Sequence, residues 1–264
     1  MRLLRRIVTG LAVLIVLGYA AVVGGMYYFQ RDLQYEKTGP ITALADTAIV
    51  GAENVAIPVD GSVVNGWYEA PKAGKPLIVY YKGNAGSFTR EHERYAAWTQ
   101  AGYGFLAFDY RGYPASPGSI SQQGILDDAV AAFDWVAAKG FPVVIWGRSL
   151  GSGPSTYVAS VRDADALLLE TPFLSAVNVA AERYPYLPVY WVMQDQFPVA
   201  VDVFVRGLRA GHPIAAALEL LTVEMPDPIG SQFGIVVDEI TYGAELRDTL
   251  QAMADRWGLD DMRM

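Results

Sequence analysis

The stretch Pro142-Val-Val-Ile-Trp-Gly-Arg-Ser149-Leu-Gly-Ser-Gly153 decides how this chain is read. Val143 to Trp146 has the apolar density of a strand covered on both faces, and Ser152 to Val161 continues as a helix. Between them Gly-x-Ser-x-Gly makes a sharp strand-to-helix turn that holds Ser149 out of the backbone, exposed as a nucleophile. Gly147, Gly151 and Gly153 permit the tight turn and close helix packing. The amide of Leu150, at the helix start, is aimed at an oxyanion forming on an attacked carbonyl.

Working outward, short apolar runs alternate with helix-length amphipathic stretches from about Asn54 to Glu170, which predicts α/β architecture with a parallel sheet under helices. The predicted strands are Val55 to Val59, Val63 to Tyr68, Leu77 to Tyr81, Phe105 to Phe108, Val143 to Trp146 and Ala166 to Leu169. Glu91 to Gln100 and Ile125 to Ala138 read as crossover helices; in the second, Ile125, Ala129, Ala132, Phe133 and Val136 fall on one face. After Pro185 the alternation stops. Phe204 to Thr222, Pro228 to Thr241 and Glu245 to Trp257 read as three helical stretches, with Pro213 and Pro228 at first-turn positions, Asp227 an N-cap and Gly243 a C-terminal stop.

Met1-Arg2-Leu-Leu-Arg5-Arg6 is a basic N-terminus (1–6), and the uncharged run from Ile7 to Phe29 is long enough to cross roughly 30 Å of hydrocarbon as a helix. A cleaved signal peptide is the rival reading, but its apolar region is shorter, and Tyr27-Tyr28-Phe29 has the character of an interfacial aromatic belt. The arginine asymmetry places the N-terminus in the cytoplasm and the body (45–202, then 203–264) outside it. A net charge of −8 argues against a nucleic-acid partner. With no cysteine and only His92 and His212, neither a thiolate nucleophile nor a metal site is expected, and no cofactor is implied.

A serine hydroxyl needs a base and a preformed oxyanion site. The strand Leu77 to Tyr81 runs into Lys82-Gly-Asn-Ala-Gly86, where Asn84 or Ala85 would supply a second oxyanion amide. In the chain order serine, acid, histidine, the available acids are Glu170, Asp195 and Asp202, and the available base is His212. His92, within Thr89-Arg-Glu-His-Glu-Arg, reads as part of a solvated helix face. The aromatic segment Tyr184 to Trp191 either lines an apolar acyl pocket or packs over the sheet edge.

Lys82-Gly-Asn-Ala-Gly, Phe108-Asp-Tyr-Arg-Gly-Tyr113, Gly147 to Gly153 and Leu169-Glu-Thr-Pro-Phe173, in this order after an anchor, resemble the membrane-anchored bud-emergence (Bem) branch of the α/β-hydrolases over roughly residues 1 to 200. The resemblance implies an esterase, thioesterase or lipase-like serine hydrolase acting on a small acyl ester or thioester. Ser149 would be the nucleophile, and the amides of Asn84 and Leu150 the oxyanion hole. It also implies that Glu170 belongs to a structural turn. This sequence departs from the family at Lys82, where histidine is usual, and at Pro114, where glycine is usual. The family's later strand with a triad aspartate and its histidine loop are not found, so the sheet is expected to be incomplete. Leu208-Arg-Ala-Gly-His-Pro-Ile, Glu224-Met-Pro-Asp-Pro-Ile-Gly and Val237-Asp-Glu-Ile-Thr-Tyr-Gly243 are similar to the first half of a type II secretion F domain. That likeness implies a composite chain, an all-helical tail that could meet a helical partner, and His212 at a helix start.

Overall fold

The computed structural model describes residues 1–197, 199, 207, 213–224 and 229–257. The apolar run forms a single helix, α1 (Arg2–Gln34), long and apolar enough to cross a membrane. Next come β1 (Glu53–Val59), β2 (Ser62–Glu69), β3 (Leu77–Tyr81), α2 (His92–Gln100), β4 (Gly104–Phe108), α3 (Gln122–Ala137), β5 (Val143–Arg148), α4 (Ser152–Val161) and β6 (Ala166–Glu170). Two short helices, α5 (Ala176–Arg183) and α6 (Val189–Val192), precede α7 (Ile214–Glu224), α8 (Ile229–Thr241) and α9 (Leu246–Trp257).

The six strands are ordered β1-β2-β4-β3-β5-β6. β4, β3, β5 and β6 are parallel, while β1 and β2 form an antiparallel hairpin laid antiparallel on β4. The sheet is therefore mixed, and its parallel part is the apolar four-strand series legible in the sequence.

Alternation along β3 and β4 separates two cores. Leu77, Val79, Tyr81, Leu106 and Phe108 pack with Ile125, Phe133 and Val136 of α3 and Val158 of α4. Tyr80, Phe105 and Ala107 face the other way, onto Tyr95 and Ala96 of α2. A period of two side chains per strand repeat makes this a three-layer sandwich with helices on both sheet faces. Arg111 ties the layers together, with its backbone N–H and its guanidinium on the buried Asp128 of α3 at 2.6 to 2.9 Å.

β3 lies between β4 and β5, and the chain leaves it toward one side before returning on the other. The carboxyl ends of β3 and β5 thus flank a topological switch point, where loops diverge and open a crevice. Tyr81 pairs with Gly147, so Lys82 and Ser149 follow on adjacent strand ends.

Beyond β5 the sheet has one more strand, β6, whose Leu168 is exposed. The helical tail covers part of that flank: Leu218, Leu221, Val236 and Met253 cluster with Leu169, Phe173 and Leu174. The described helices Ile229–Thr241 and Leu246–Trp257 agree with two of the three stretches expected from the sequence. Of the expected Phe204 to Thr222, Ile214–Glu224 is helical, Pro213 stands just before it, and most of the earlier residues lie outside the described ones. The Asp227 cap and Pro228 lie outside the described residues.

Candidate active site

Ser149 has φ 47°, one of three non-glycine residues with positive φ among the described residues. A serine in the left-handed region costs on the order of 1 kcal/mol or more and persists only where surroundings impose it. Those surroundings are glycines. A Cβ on Gly147 would stand 2.7 Å from Gly151 O and collide with Ser155, and one on Gly151 would stand 2.7 Å from Lys82 O. A Cβ on Gly153 would press at 2.6 Å into the Phe197 ring. The three glycines let β5, the turn and α4 close to backbone contact, and the turn runs through a single 3-10 turn at Ser149–Gly151 into α4. Ser152 Oγ donates to Ser149 O at 2.6 Å, fixing the peptide that carries the Leu150 amide.

Facing the turn is the loop after β3. A Cβ on Gly83 would lie 3.7 Å from Ser149 Cβ, so this loop and the elbow are in van der Waals reach. Beneath the loop Lys82 is 1% exposed, and its Nζ donates to Gly86 O at 2.7 Å and Gly83 O at 3.2 Å. The ammonium also sits 3.5 Å from the centre of the Tyr113 ring and 3.7 Å from Asp109 Oδ1. In a trans peptide the C=O and the following N–H point in opposite directions. Holding Gly83 O toward Lys82 therefore turns the Asn84 N–H away from Lys82. Burial pulls Lys82 down to about 8, against the attraction of Asp109 and Glu91. Burial likewise raises Asp109, opposed by Lys82 and by the N–H groups of Ala115 and Phe88.

The Asn84 side chain is committed to the loop's own fixation. Its Oδ1 accepts from Tyr113 Oη at 2.7 Å and from Glu36 N at 3.2 Å, and its Nδ2 donates to Gln34 O at 2.8 Å. That leaves the backbone, not the amide side chain, as the oxyanion candidate, and it splices the loop to the end of α1. Pro114 sits at the second position of a turn closed by Ser116 N on Tyr113 O, where its fixed φ suits the turn and helps aim Tyr113 at Asn84.

Ser149, Leu150 and Asn84 open into a cleft of about 760 Å³. One wall is α5, α6 and their connection, including Ala176, Val179, Leu187 and Val189; the other is α1, through Val23, Met26, Tyr27, Gln30 and Leu33. The aromatic segment divides: Tyr184 lines the cleft, while Tyr186, Tyr190 and Trp191 stand exposed.

No family model matches the chain. The uncharacterized Mycobacterium tuberculosis protein Rv2307c is 32% identical over 190 residues, 68% of each chain. Lysophosphatidylserine lipase ABHD12 of Bos taurus is 37% identical over 180 residues, 62% of this chain and 44% of that one. Among solved structures, an alpha-beta hydrolase from Vibrio vulnificus superposes with TM-score 0.55 at 19% identity, over 80% of this chain and 89% of its own. An esterase from Pyrococcus furiosus superposes with TM-score 0.50 at 17% identity, over 64% and 71%. The chain is a relative of Rv2307c and has the α/β-hydrolase fold of these solved structures. It spans less than half the length of the bovine lipase.

Within this fold, two of the three acids named from the sequence have partners among the described residues. Glu170, at the end of β6, meets Arg94 at 2.7 and 3.0 Å, Trp146 Nε1 at 3.1 Å and Arg148 at 3.2 Å. Partial burial pushes its carboxyl up, but the hydrogen bond and charge of Arg94, with Trp146 and Arg148, hold it below the usual carboxylate range. Among the described residues its partners are two arginines and a tryptophan, which hold it in an ion-pair network. Asp195 is likewise committed: its buried carboxylate accepts from Arg31 at 3.0 and 3.4 Å and from Tyr35 Oη at 2.9 Å. Burial, then Asp195, drives the Tyr35 hydroxyl well above its ordinary value. Asp202 and His212 lie outside the described residues. His92 opens α2 and is not in the cleft lining.

Sequence reasoning missed the clasp of Arg31 and Tyr35 on Asp195, the docking of Asn84 on the end of α1, and the role of α1 as a cleft wall. The partners are 50 positions apart for Asn84 and Gln34 and 160 or more for the clasp, and no local pattern signals such pairings.

Proposed function

We propose that this chain is a membrane-anchored serine hydrolase cleaving an acyl ester or thioester. Ser149 Oγ attacks the carbonyl carbon as its proton passes to His212; the amides of Asn84 and Leu150 hold the oxyanion. Collapse of the tetrahedral intermediate expels the alcohol or thiol, which takes that proton, and water then releases the acid from Ser149 by the same route. Because Glu170 is bound to Arg94 and Arg148, Asp202 is the acid that orients His212 in this scheme. The observation that carries the reading is Ser149 in the left-handed conformation at the base of a cleft beside Asn84. The related mammalian proteins named lysophosphatidylserine lipases act on a carboxylic ester, which fits this chemistry. The helix α1 anchors the body, with the basic end in the cytoplasm and the cleft on the other side.

Fluorophosphonate labelling of the detergent-solubilised chain tests this. Wild type is expected to label, and Ser149→Ala and His212→Ala to lose the label. Labelling retained in His212→Ala would remove His212 as the base. No labelling of folded wild type would overturn the hydrolase reading in favour of a membrane-tethered, non-catalytic protein. In that second reading the tail similar to a secretion F domain docks on a helical partner; it draws on the exposed Val223 and Tyr242 of the tail.

A further inference from the structure

We infer that α1 is one wall of the acyl site as well as a tether, and that the cleft receives a long acyl chain directly from the bilayer. The inference rests on the hydrolase reading for the reacting carbonyl and on the anchor reading for α1. It extends both, because the site it describes is built partly from the anchor itself.

The argument starts with length. α1 has 33 residues and is about 50 Å long, well beyond the roughly 30 Å hydrocarbon layer. The uncharged run ends at Phe29, yet the cleft wall begins at Val23 and continues to Leu33, so it straddles the level at which the helix leaves the hydrocarbon. The opposite wall is drawn down alongside the span: Tyr19 Oη donates to Tyr186 O at 2.8 Å. Tyr19 is ten residues, or about 15 Å, deeper along the helix than Phe29. Tyr186 and Trp191 are 87% and 91% exposed on this segment. Large aromatic rings left bare in water are costly, whereas the same rings lying against lipid are well placed.

The two walls are clasped at the cleft's inner end. Arg31, Gln34 and Tyr35 bond Asp195, and Gln30 bonds Gln194 N and Val192 O, so α1 is held against the segment after α6. The cleft lining between Val23 and Ser149 is mainly apolar, with Met26, Leu33, Val179 and Leu187 in it and Gln30, Gln34 and Arg183 among them. An acyl chain sliding along the apolar residues exchanges lipid neighbours for largely apolar protein neighbours, and so avoids transfer to water on the way to the serine. A cleft of about 760 Å³ lies within the range of ligand pockets that enclose most of a small molecule.

The test uses the full chain in lipid nanodiscs containing palmitoyl lysophosphatidylcholine with a diazirine at the end of its tail. Photolysis is expected to leave adducts on Val179 or Leu187 as well as on the Val23 to Leu33 face of α1. Met26→Trp, and independently Leu33→Trp, is expected to cut the Val179 and Leu187 adducts by about five-fold or more, since overfilling a packed site excludes a chain. Val16→Trp, on the exposed part of the span, is expected to leave them unchanged. Adducts confined to Leu3 through Val22 would overturn the acyl site even if a fluorophosphonate labels Ser149. Adducts at Val179 or Leu187 without fluorophosphonate labelling would keep the site and remove the hydrolase reading.

Discussion

Replacing Lys82 by methionine keeps the apolar stem and removes the ammonium that holds Gly83 O and Gly86 O. Two effects follow, separable by pH and by rate. The first is on stability. Lys82 titrates near 8 in the fold against 10.5 ordinarily, so between those values the unfolded chain binds more protons than the folded one. Stability from this group therefore rises with pH from 8 to about 10.5. The full gain is about 3 kcal/mol, at about 1.36 kcal/mol for each tenfold change in proton concentration across that range. Buried tyrosines such as Tyr81, Tyr95 and Tyr110 are pushed up by burial, so they oppose it above pH 10; both proteins share that loss and the difference between them cancels it. The second effect is on the proposed oxyanion amide. A misdirected Asn84 N–H forfeits part of the roughly 3 kcal/mol that one donor supplies, so the rate of fluorophosphonate attack on Ser149 should fall about 10- to 100-fold. Lys82→His should recover much of it, since an imidazolium N–H can reach a carbonyl from the same position. The assay pairs urea unfolding at pH 7.5 and 9.5 with timed labelling of wild type and both variants. Equal pH slopes in wild type and Lys82→Met would refute the buried-ammonium argument, and an unchanged labelling rate would refute the orienting role.

Gly147→Ala drives a methyl group into Ser155 and Gly151 O, so we expect a loss of about 2 kcal/mol or more in urea unfolding together with lost labelling. Asp195→Ala deprives the buried Tyr35 hydroxyl and Arg31 of their acceptor and should cost about 2 kcal/mol, whereas Arg31→Ala, whose side chain is 40% exposed, should cost less than half of that; equal losses would contradict the clasp as described. Glu170→Gln should retain Ser149 labelling to within about three-fold, because its carboxylate serves Arg94 and Arg148; a loss of 100-fold would instead make it the triad acid.

Much of the fold was legible because it rests on local physics. The strand at Leu77–Tyr81 and the helix at Ser152–Val161 appear with the ends read from the sequence, since apolar density and glycine punctuation act within a few residues. The elbow was legible for the same reason: only glycine tolerates the backbone contacts on either side of Ser149, so the spacing itself carries the geometry. The antiparallel β1–β2 hairpin carried a local signal that went unread, the two-residue turn Asp60-Gly61 with Gly61 at φ 69°, whereas the laying of β2 on β4 had none. Glu170 and Asp195 looked alike as candidate acids, each an acidic residue after Ser149 in the chain. Tertiary structure separated them by bringing Arg94 and Arg148 to one and Arg31 and Tyr35 to the other. It likewise divided Tyr184 from Tyr186 and Trp191, which composition treats as one aromatic stretch. The sequence by itself determined most of the elements, the glycine-flanked turn at Ser149 and the apolar helix, through short-range sterics and solvation. Only the tertiary structure decided which charges neutralise one another and that α1 walls the cleft, because those contacts join residues such as Arg148 and Glu170, 22 positions apart, and Arg31 and Asp195, 164 apart, whose pairing no local pattern records.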